Sequence, residues 1–304
     1  MSGRAGVLLA LGAYGMWGLF PLYFRLLESA GAVEIVLHRI VWSLLTCLVV
    51  LAVTRSWQSL RHVSRRQLGL LAAAAAAISL NWGVFIWAVN SEQVVETSLG
   101  YFVNPLVSVL LGVLLLRERL RRTQWAAVGI AGAAVAVLTV DYGRPPWIAL
   151  ALAASFGTYG LLKNLVGRGV GALPGLTLET AVLAPPALAL LVWLQVQGSG
   201  TFTSAGPWHT ALLVASGALT AAPLLLFAAG TRRIDLSLVG MLQFITPVMQ
   251  FVVGWALLGE PMPLERWIGF TIVWIAIVVF VADLLINSRR THTGSPVTAP
   301  VDLV

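Results

Sequence analysis

The side chains best suited to acid–base or ion-pair chemistry are a few charged groups inside long apolar stretches. Glu34 and His38 are four positions apart in EIVLHRIVWS, a spacing that places both on one face of a helix, and Arg39 follows directly. A carboxylate beside an imidazole can relay a proton or form a structural ion pair, and the sequence leaves both roles open. The long side chain of Arg39 could reach the nearby helix end, so we expect its charge to turn outward. The remaining candidates for proton or ion coupling are Glu96, Lys163 and Glu179.

Uncharged polar side chains form two stripes with matching spacing, each built around a proline. The first stripe is Tyr101, Asn104, Pro105, Ser108 and Gly112, and the second is Gln243, Thr246, Pro247, Gln250 and Gly254. Proline has no N–H and leaves the carbonyl four residues earlier without its helical partner, so both helices should kink and the prolines could act as paired gating points. Such stripes are unfavourable in an apolar medium, and we expect them to face one another or a wet cavity. Interhelical hydrogen bonding is the structural alternative.

Aromatic residues accompany these stripes at helical spacing. Together with the amides they predict a substrate cavity lined by Tyr14, Trp17, Asn81, Trp82, Tyr101, Asn104, Ser108, Tyr159, Gln243, Thr246 and Gln250. Aromatic faces with a few amides suit an amphipathic or cationic organic solute, through stacking and cation–π contact. For any single aromatic ring, ordinary core packing is the alternative.

The elements that must position these residues follow from composition. Of 304 residues, 59% are hydrophobic and 10% are charged, which is too few polar side chains to cover a soluble protein. Ten apolar blocks approach the ~20 residues needed to cross a bilayer as helices. They are 6–24, 33–53, 68–89, 95–116, 125–140, 147–165, 176–196, 210–229, 236–258 and 267–285. The sequence therefore predicts an all-α integral membrane protein with ten transmembrane helices.

The distribution of the positive charge indicates membrane topology rather than nucleic-acid binding. The net charge is +7, but with an inward amino terminus the predicted outer loops hold only Arg25, Arg144 and Arg266. Cationic loops are retained in the cytoplasm, so both termini should be cytoplasmic. The predominance of arginine over lysine, with abundant Ala and Gly, indicates a bacterial plasma membrane.

An internal repeat organises the chain. Pro105, Gly112, Glu118 and Trp125 recur 142 positions later, with every interval preserved, as Pro247, Gly254, Glu260 and Trp267. Residues 6–140 and 147–285 are thus two units of five helices, and an odd helix number inverts the second unit in the membrane. Inverted repeats are an architecture of secondary transporters. Residues 286–304 are polar and should form a disordered cytoplasmic tail.

The sequence motifs of nucleotide hydrolysis, histidine metal binding and serine hydrolases are absent. Lys163 is the only lysine and follows a leucine, so the Gly-Lys step of a P-loop is missing. The four histidines are scattered, and G-x-S-x-G does not occur. We therefore expect no enzyme activity, no cofactor and no metal site.

The chain resembles RarD-type permeases of the EamA family, within the drug/metabolite transporter superfamily. The similarity covers about 6–285 and is carried by GVLLALGAYGMWGLFPLYF, EIVLHRIVWS, the stretch from NWGVFIWAVN to RERLRRTQW, SFGTYGLLKN and TAAPLLLFAAGTRRIDLSLVGMLQFITP. The resemblance implies two EamA repeats around a cavity lined by helices one, three, four, six, eight and nine, with helices five and ten peripheral. It also implies transport of small organic molecules and a link to chloramphenicol sensitivity. Where the family has a basic pair after the sixth-helix YGL, this sequence has Lys163 and Asn164.

These observations predict a permease, or an exporter, that moves small organic molecules or drugs by alternating access. A proton gradient is a candidate driving force. The alternative is a membrane-embedded sensor or anchor without transport activity. The expected partners are a small-molecule substrate and the lipid bilayer, with no nucleic acid, and the sequence sets no oligomeric state.

Overall fold

The computed structural model is helical throughout the residues that it describes, which are 2–61, 63–116, 120–167 and 169–293. The helices are α1 (Ser2–Arg25), α2 (Ala32–Val53), α3 (Arg65–Asn90), α4 (Val94–Leu116), α5 (Arg122–Tyr142), α6 (Trp147–Val166), α7 (Ala172–Val196), α8 (Pro207–Thr231), α9 (Leu236–Leu242), α10 (Ile245–Val252) and α11 (Leu264–Thr293). A short 3₁₀ helix (Trp57–Leu60) follows α2, and a π-helical turn (Val253–Leu257) follows α10.

Ten spans in the described part of the chain are long and apolar enough to cross a membrane. The first eight are α1 to α8, the ninth joins α9, α10 and the π-helical turn, and the tenth is α11. The prediction of an all-α protein with ten spans is confirmed. Most helices extend beyond the apolar blocks because polar residues form their terminal turns. The last helix continues past residue 285 to Thr293, so the predicted tail begins inside α11, and 294–304 lie outside the described residues.

The contacts between helices follow the same pattern when the two repeats are exchanged. The contact of α3 with α6 is matched by α8 with α1, that of α4 with α6 by α10 with α1, and that of α2 with α8 by α7 with α3. Three further contacts join equivalent helices, namely α2 with α7, α4 with α10 and α5 with α11. This pattern is expected of two units related by a pseudo-two-fold axis.

Ion pairs at the ends of α5 and α11 show that equivalent helices run in opposite directions. Arg266 at the start of α11 donates to Asp141 at the end of α5, with Nε to Oδ2 at 3.0 Å. Conversely, Arg121 before α5 donates to Asp283 near the end of α11, with Nε to Oδ2 at 2.9 Å. The two aspartates are themselves 142 positions apart. The repeats are therefore inverted.

Small residues allow the closest helix contacts. A Cβ added to Gly217 in α8 would lie 2.2 Å from the carbonyl carbon of Trp42 in α2, and one added to Gly100 in α4 would lie 2.8 Å from the carbonyl oxygen of Ala149 in α6. Such near-backbone contact is how helices associate in lipid, where no hydrophobic force drives them together.

The paired prolines have different consequences in the two repeats. The ninth span is interrupted at Gln243 and Phe244, where Pro247 removes the hydrogen-bond partner of the Gln243 carbonyl. In contrast, α4 continues through Pro105 without interruption. The sequence predicts a kink at each proline, and of the two spans only the ninth is interrupted.

Candidate functional site

Most residues of the predicted cavity lie on α1, α3, α4, α6 and α10, which pack around one another. The α5 and α11 helices pair mainly with each other and have the smallest buried fractions of the ten spans. Their position leaves the other helices to form the centre of the bundle.

Asn81 joins three helices through a buried hydrogen-bond network. Its Nδ2 donates to the Leu152 carbonyl and to the Ser155 hydroxyl, both at 3.1 Å, and its Oδ1 accepts from the Tyr101 hydroxyl at 3.0 Å. The amide is 1% exposed and its principal donors and acceptor are satisfied, so its position is fixed between α3, α4 and α6.

The polar stripe of the ninth span turns largely toward α1. Thr246 donates from Oγ1 to the Tyr14 carbonyl at 2.9 Å, and Gln250 donates from Nε2 to the Trp17 carbonyl at 3.2 Å. These two side chains therefore make the interhelical hydrogen bonds of the structural alternative, with acceptors on helix one rather than on the other stripe.

Three other members of the predicted cavity differ in surroundings. Gln243 bonds within its own segment, from Nε2 to the Gly240 carbonyl at 3.0 Å. Ser108 is exposed, and its hydroxyl would lie 3.5 Å from a Cβ on Gly157 of α6. On the neighbouring turn of α4, Asn104 is half-buried.

Three buried amide oxygens have no hydrogen-bond partner among the described residues. One is Oδ1 of Asn90 at the end of α3, and the other two are Oδ1 of Asn104 in α4 and Oε1 of Gln250 in α10, on repeat-equivalent helices that pack together. An unsatisfied buried acceptor costs about 1–3 kcal/mol, so each is a place where a ligand or water donor would bind favourably.

Arg39 points into the bundle, which corrects the outward orientation expected from sequence. It is 4% exposed, its guanidinium carbon lies 4.0 Å from the ring centroid of Trp82, and its Nε donates to the Thr220 hydroxyl at 2.7 Å. The rings of Phe20 and Phe24 flank it at 5.4 Å each. Aromatic faces attract the cation more strongly once it is desolvated, which holds the side chain inward. We call Arg39, Trp82, Phe20, Phe24 and Thr220 the arginine cluster.

Glu34 and His38, the other predicted coupling residues on α2, contact the loop that connects α7 and α8. The two Glu34 oxygens accept from the Thr201 N–H at 2.7 Å and from its hydroxyl at 3.1 Å. His38 Nε2 lies 3.9 Å from Glu34 Oε1, its Nδ1 faces Trp42 Nε1 at 3.2 Å, and its ring stacks on Phe202. The predicted one-face arrangement of Glu34 and His38 is present.

Lys163 and Glu179 form an ion pair between α6 and α7. Lys163 Nζ lies 2.5 Å from Glu179 Oε1, and the Tyr159 hydroxyl donates to Oε2 at 3.3 Å. Glu179 is 1% exposed. Glu179 lies three positions after Leu176, the repeat equivalent of Glu34, and its partner is a lysine rather than a loop backbone.

Glu96 anchors the start of α6. It accepts from Arg144 Nη2 at 2.9 Å and from the Ile148 N–H at 3.0 Å, and it is 2% exposed. A carboxylate at a helix N-terminus satisfies free N–H groups and opposes the positive end of the helix dipole.

Glu260 joins the end of the ninth span to the start of α4, a contact that was not predicted from the sequence. Its Oε1 accepts from the Val94 N–H at 2.6 Å and its Oε2 from the Val95 N–H at 2.8 Å, so one carboxylate caps α4 with both oxygens. We call this contact the Glu260 clamp. Burial raises the pKa of Glu260 above its ordinary value, and the two backbone N–H groups and Arg266 oppose that shift.

An aromatic row crosses the centre of the bundle between the arginine cluster and Lys163. Its rings are Phe24, Phe85, Tyr101, Phe156 and Tyr159, with successive centroids 6.1, 5.9, 6.0 and 6.1 Å apart. Lys163 Nζ lies 5.7 Å from the last ring. Edge-to-face and tilted rings of this kind offer stacking surfaces for a planar apolar group.

Phe24 and Phe85 of the aromatic row, and the threonines that bond Arg39 and Glu34, were not predicted. Apolar rings and hydroxyls in spans are too common for spacing to select them. For Glu260 a signal existed, because the repeat already marked Glu118 and Glu260. Adding 142 to Val94 and Val95 gives Leu236 and Ser237, the start of α9.

The fold and these buried polar groups define a ten-span, inverted-repeat membrane protein with polar groups converging between its halves. The EamA-like transporter family model matches residues 4–140 and 145–282. The protein RarD of Streptomyces exfoliatus is 51% identical over 302 residues, which cover 99% of this chain and 95% of that protein. Protein RarD of Escherichia coli K12 is 39% identical, covering 95% and 97%.

Two further matches agree with this assignment. The chloramphenicol-sensitive protein RarD of Pseudomonas aeruginosa is 34% identical, covering 92% of this chain and 94% of that protein. A solved crystal structure of another protein has a TM-score of 0.59 and 18% identity, covers 95% of this chain and 99% of its own, and so supports the fold alone.

The chain belongs to the EamA-like transporter family and contains two copies of its domain. Within the family it is similar to the RarD-type proteins over its whole length, which confirms the resemblance seen in the sequence. It is thus a multi-pass membrane protein of a small-molecule permease family.

Proposed function

We propose that the protein is a secondary permease that moves small organic molecules by alternating access between its two repeats. The observation that carries the proposal is the Glu260 clamp, which joins α4 to the end of the ninth span at one face of the bundle. By sequence, the repeat equivalents of Glu260 and of the start of α4 are Glu118, which lies outside the described residues, and the start of α9. In this proposal they form a second clamp when the Glu260 clamp is open, so that one face closes at a time.

The difference between the equivalent helices supports this cycle. Because α4 is continuous whereas the ninth span is interrupted near Gln243, the two repeats have different conformations of the same sequence skeleton. Exchanging these conformations would exchange the open and closed faces. In this cycle Pro105 and Pro247 act as the points where each helix bends.

The substrate region in this proposal lies between the clamps. The unpartnered oxygens of Asn104 and Gln250 mark its centre, and Tyr101 and Tyr159 line it on the side of the aromatic row. We place the protein in the bacterial plasma membrane with both termini cytoplasmic, from the distribution of Arg and Lys. The Glu260 face is then external, and export is the proposed direction.

Coupling to the proton gradient is proposed for the Glu34–His38 pair. His38 Nε2 is buried without a hydrogen-bond partner among the described residues, 3.9 Å from a carboxylate that already accepts two other bonds. Because the Trp42 indole N–H can only donate to Nδ1, the neutral imidazole carries its proton on Nε2, facing Glu34. A second proton, taken up at Nδ1 as the Trp42 N–H turns away, would convert this approach into an ion pair.

The first test is flux in proteoliposomes. The purified full chain is reconstituted and supplied with a panel of amphipathic amines, amino acids, aromatic carboxylates and chloramphenicol, with and without a pH gradient. We expect protein-dependent flux of at least one compound, and flux that responds to pH in the native protein but not in Glu34→Gln. Flux for none of them, together with stoichiometric recovery of one partner protein by cross-linking, would favour the sensor or anchor alternative.

The second test follows the clamp itself, in a Cys47→Ser background. Cys47 is buried and is the only cysteine, so Asn104→Cys gives a single reporter. With Glu260 intact, an impermeant maleimide should label position 104 from one side only. With Glu260→Gln, labelling from both sides is expected, because the neutral amide replaces one carboxylate oxygen by an NH₂ group that cannot accept. One-sided labelling in both proteins would contradict the gating mechanism.

A further inference from the structure

Arg39 carries a buried charge that the described part of the protein does not neutralise. Its guanidinium lies where α1, α2, α3 and α8 meet, about two turns into α2, and the side chain is 4% exposed. No carboxylate oxygen of the described residues lies within ion-pair distance of it. Its only hydrogen bond to these residues runs from Nε to Thr220, so both Nη groups retain their donors.

The nearest acids in sequence and space have other partners. Glu34, five positions earlier on α2, accepts from the backbone and hydroxyl of Thr201. The buried acids of the remaining helices are also paired: Glu96 with Arg144, Glu179 with Lys163, Asp141 with Arg266 and Asp283 with Arg121. Arg39 is thus the one buried arginine or lysine among the described residues, and it lacks the carboxylate partner that the more exposed Lys163 and Arg266 have.

An uncompensated charge inside a membrane protein is costly, and such residues usually face a functional pathway. The aromatic rings around Arg39 offset part of the cost through cation–π attraction. They cannot saturate its forked donors, which match the geometry of a carboxylate or another planar oxyanion. The position therefore has the properties of an anion subsite that is filled only when ligand is present.

The aromatic row extends this subsite in one direction. Phe24 belongs to both the arginine cluster and the row, and from it the rings continue through Phe85, Tyr101 and Phe156 to Tyr159. The cation at the far end, Lys163, already binds Glu179 at 2.5 Å. A molecule lying along the row would therefore have its negative group at Arg39 and its apolar body on the rings.

We propose that Arg39 binds the anionic group of the transported molecule, and that the substrates are small organic anions with a planar apolar body. This inference rests on the proposed permease function and names its substrate class. It replaces the cationic solute expected from the aromatic residues alone, because a cation would meet the unpaired charge of Arg39.

The test compares indole-3-acetate with its neutral and cationic relatives, indole-3-acetamide and tryptamine. Thermal unfolding of the purified full chain is followed with each compound, since only molecules that bind the folded state raise the transition. We expect stabilisation by indole-3-acetate, little by the amide and none by the amine. In Arg39→Met the concentration of indole-3-acetate needed for a given shift should rise at least tenfold, and in Arg39→Lys by less.

Ligand-free stability separates a binding role from a structural one. Removing an unpaired buried charge should leave the transition of Arg39→Met unchanged or higher. The matched control is Lys163→Met, which should lower the transition because Glu179 is left buried without its partner. A transition that falls in Arg39→Met, with the indole-3-acetate effect preserved, would make Arg39 a structural pin and overturn the proposal.

Three further outcomes distinguish the anion subsite from the permease function. Equal stabilisation by sodium chloride alone, with nothing added by indole-3-acetate, would also overturn it, because the subsite would then take only a simple ion. Arg39-dependent binding of indole-3-acetate without flux would refute the permease function while leaving the anion subsite in place. Flux of amines that does not change in Arg39→Met would refute the anion subsite while leaving the permease function in place.

Discussion

Asn81 and Asn104 are polar residues of neighbouring helices with opposite energetic roles. Asn81 has partners on α4 and α6, whereas the Oδ1 of Asn104 is buried without one. Polar groups inside a membrane bundle can therefore serve either cohesion or ligand binding, and hydrogen-bond satisfaction distinguishes the two.

Alanine substitutions should separate these roles. Asn81→Ala should cost about 1–3 kcal/mol, because the Tyr101 and Ser155 hydroxyls lose a partner. Asn104→Ala should change stability by less than about 1 kcal/mol but abolish the thermal shift given by any transported compound. The measurement is the unfolding transition of each variant with and without that compound. An Asn104→Ala protein that keeps its full ligand shift would remove Asn104 from the site.

Glu260 gives a pH dependence whose sign follows from its raised pKa. In the folded protein the carboxyl binds a proton more tightly than at its ordinary pKa of 4.5. Its stabilising contribution is therefore complete below that value and is lost as the pH rises through the raised pKa. Arg266 opposes the shift, and Glu92 reinforces it.

The check is the thermal transition of the native protein and of Glu260→Gln across this pH range. The difference, native minus variant, should fall with rising pH in the window above 4.5 and then become constant. A difference that is flat throughout would show that folding leaves the pKa of Glu260 unshifted, and one that rises would show that folding lowers it; either result contradicts the prediction.

At the scale of the helices, the closest contacts depend on residues without a Cβ rather than on apolar area. The α2–α8 contact at Gly217 leaves no room for a methyl group, since the backbone of Trp42 lies against it. Because lipid tails are as apolar as the side chains, close packing replaces the hydrophobic effect as the force between helices.

Gly217→Ala should accordingly destabilise the protein. An overpacked contact costs about 1–3 kcal/mol, which exceeds the ~0.5–1 kcal/mol that alanine gains over glycine in a helix. The control is Gly129→Ala in α5, where a Cβ meets no atom within 4 Å and the unfolding transition should stay the same or rise. Equal transitions for the two variants would show that α2 and α8 are not in such close contact.

At the scale of the whole molecule, the inverted repeat makes a topological prediction. The connections after α4 and after the ninth span occupy equivalent positions in the two units, so they should lie on opposite sides of the membrane. Reporter fusions placed after Leu120 and after Pro261 test this, and the positive-inside rule assigns the first to the cytoplasm. Both fusions on one side would contradict the inverted architecture.

The ten spans, the repeat and the inversion could be predicted from the sequence. Span length and apolar composition are properties of consecutive residues, and lipid permits few alternatives to the helix. The 142-residue offset and the odd number of spans then required the inversion. The same reasoning selected Asn81, Asn104 and the charged residues of α2 as sites, because polar groups are scarce in such helices.

What only the tertiary structure decided was the direction and partner of each of these side chains. Arg39 turned inward because three aromatic rings from α1 and α3 surround it, Thr246 bonded helix one, and Glu260 capped a helix from the other repeat. Periodicity gives the face of a helix on which a residue lies, but its neighbours on other helices depend on rotation and packing. Helix rotation and packing are set jointly by all ten spans, so no local sequence pattern predicts the neighbours of a side chain.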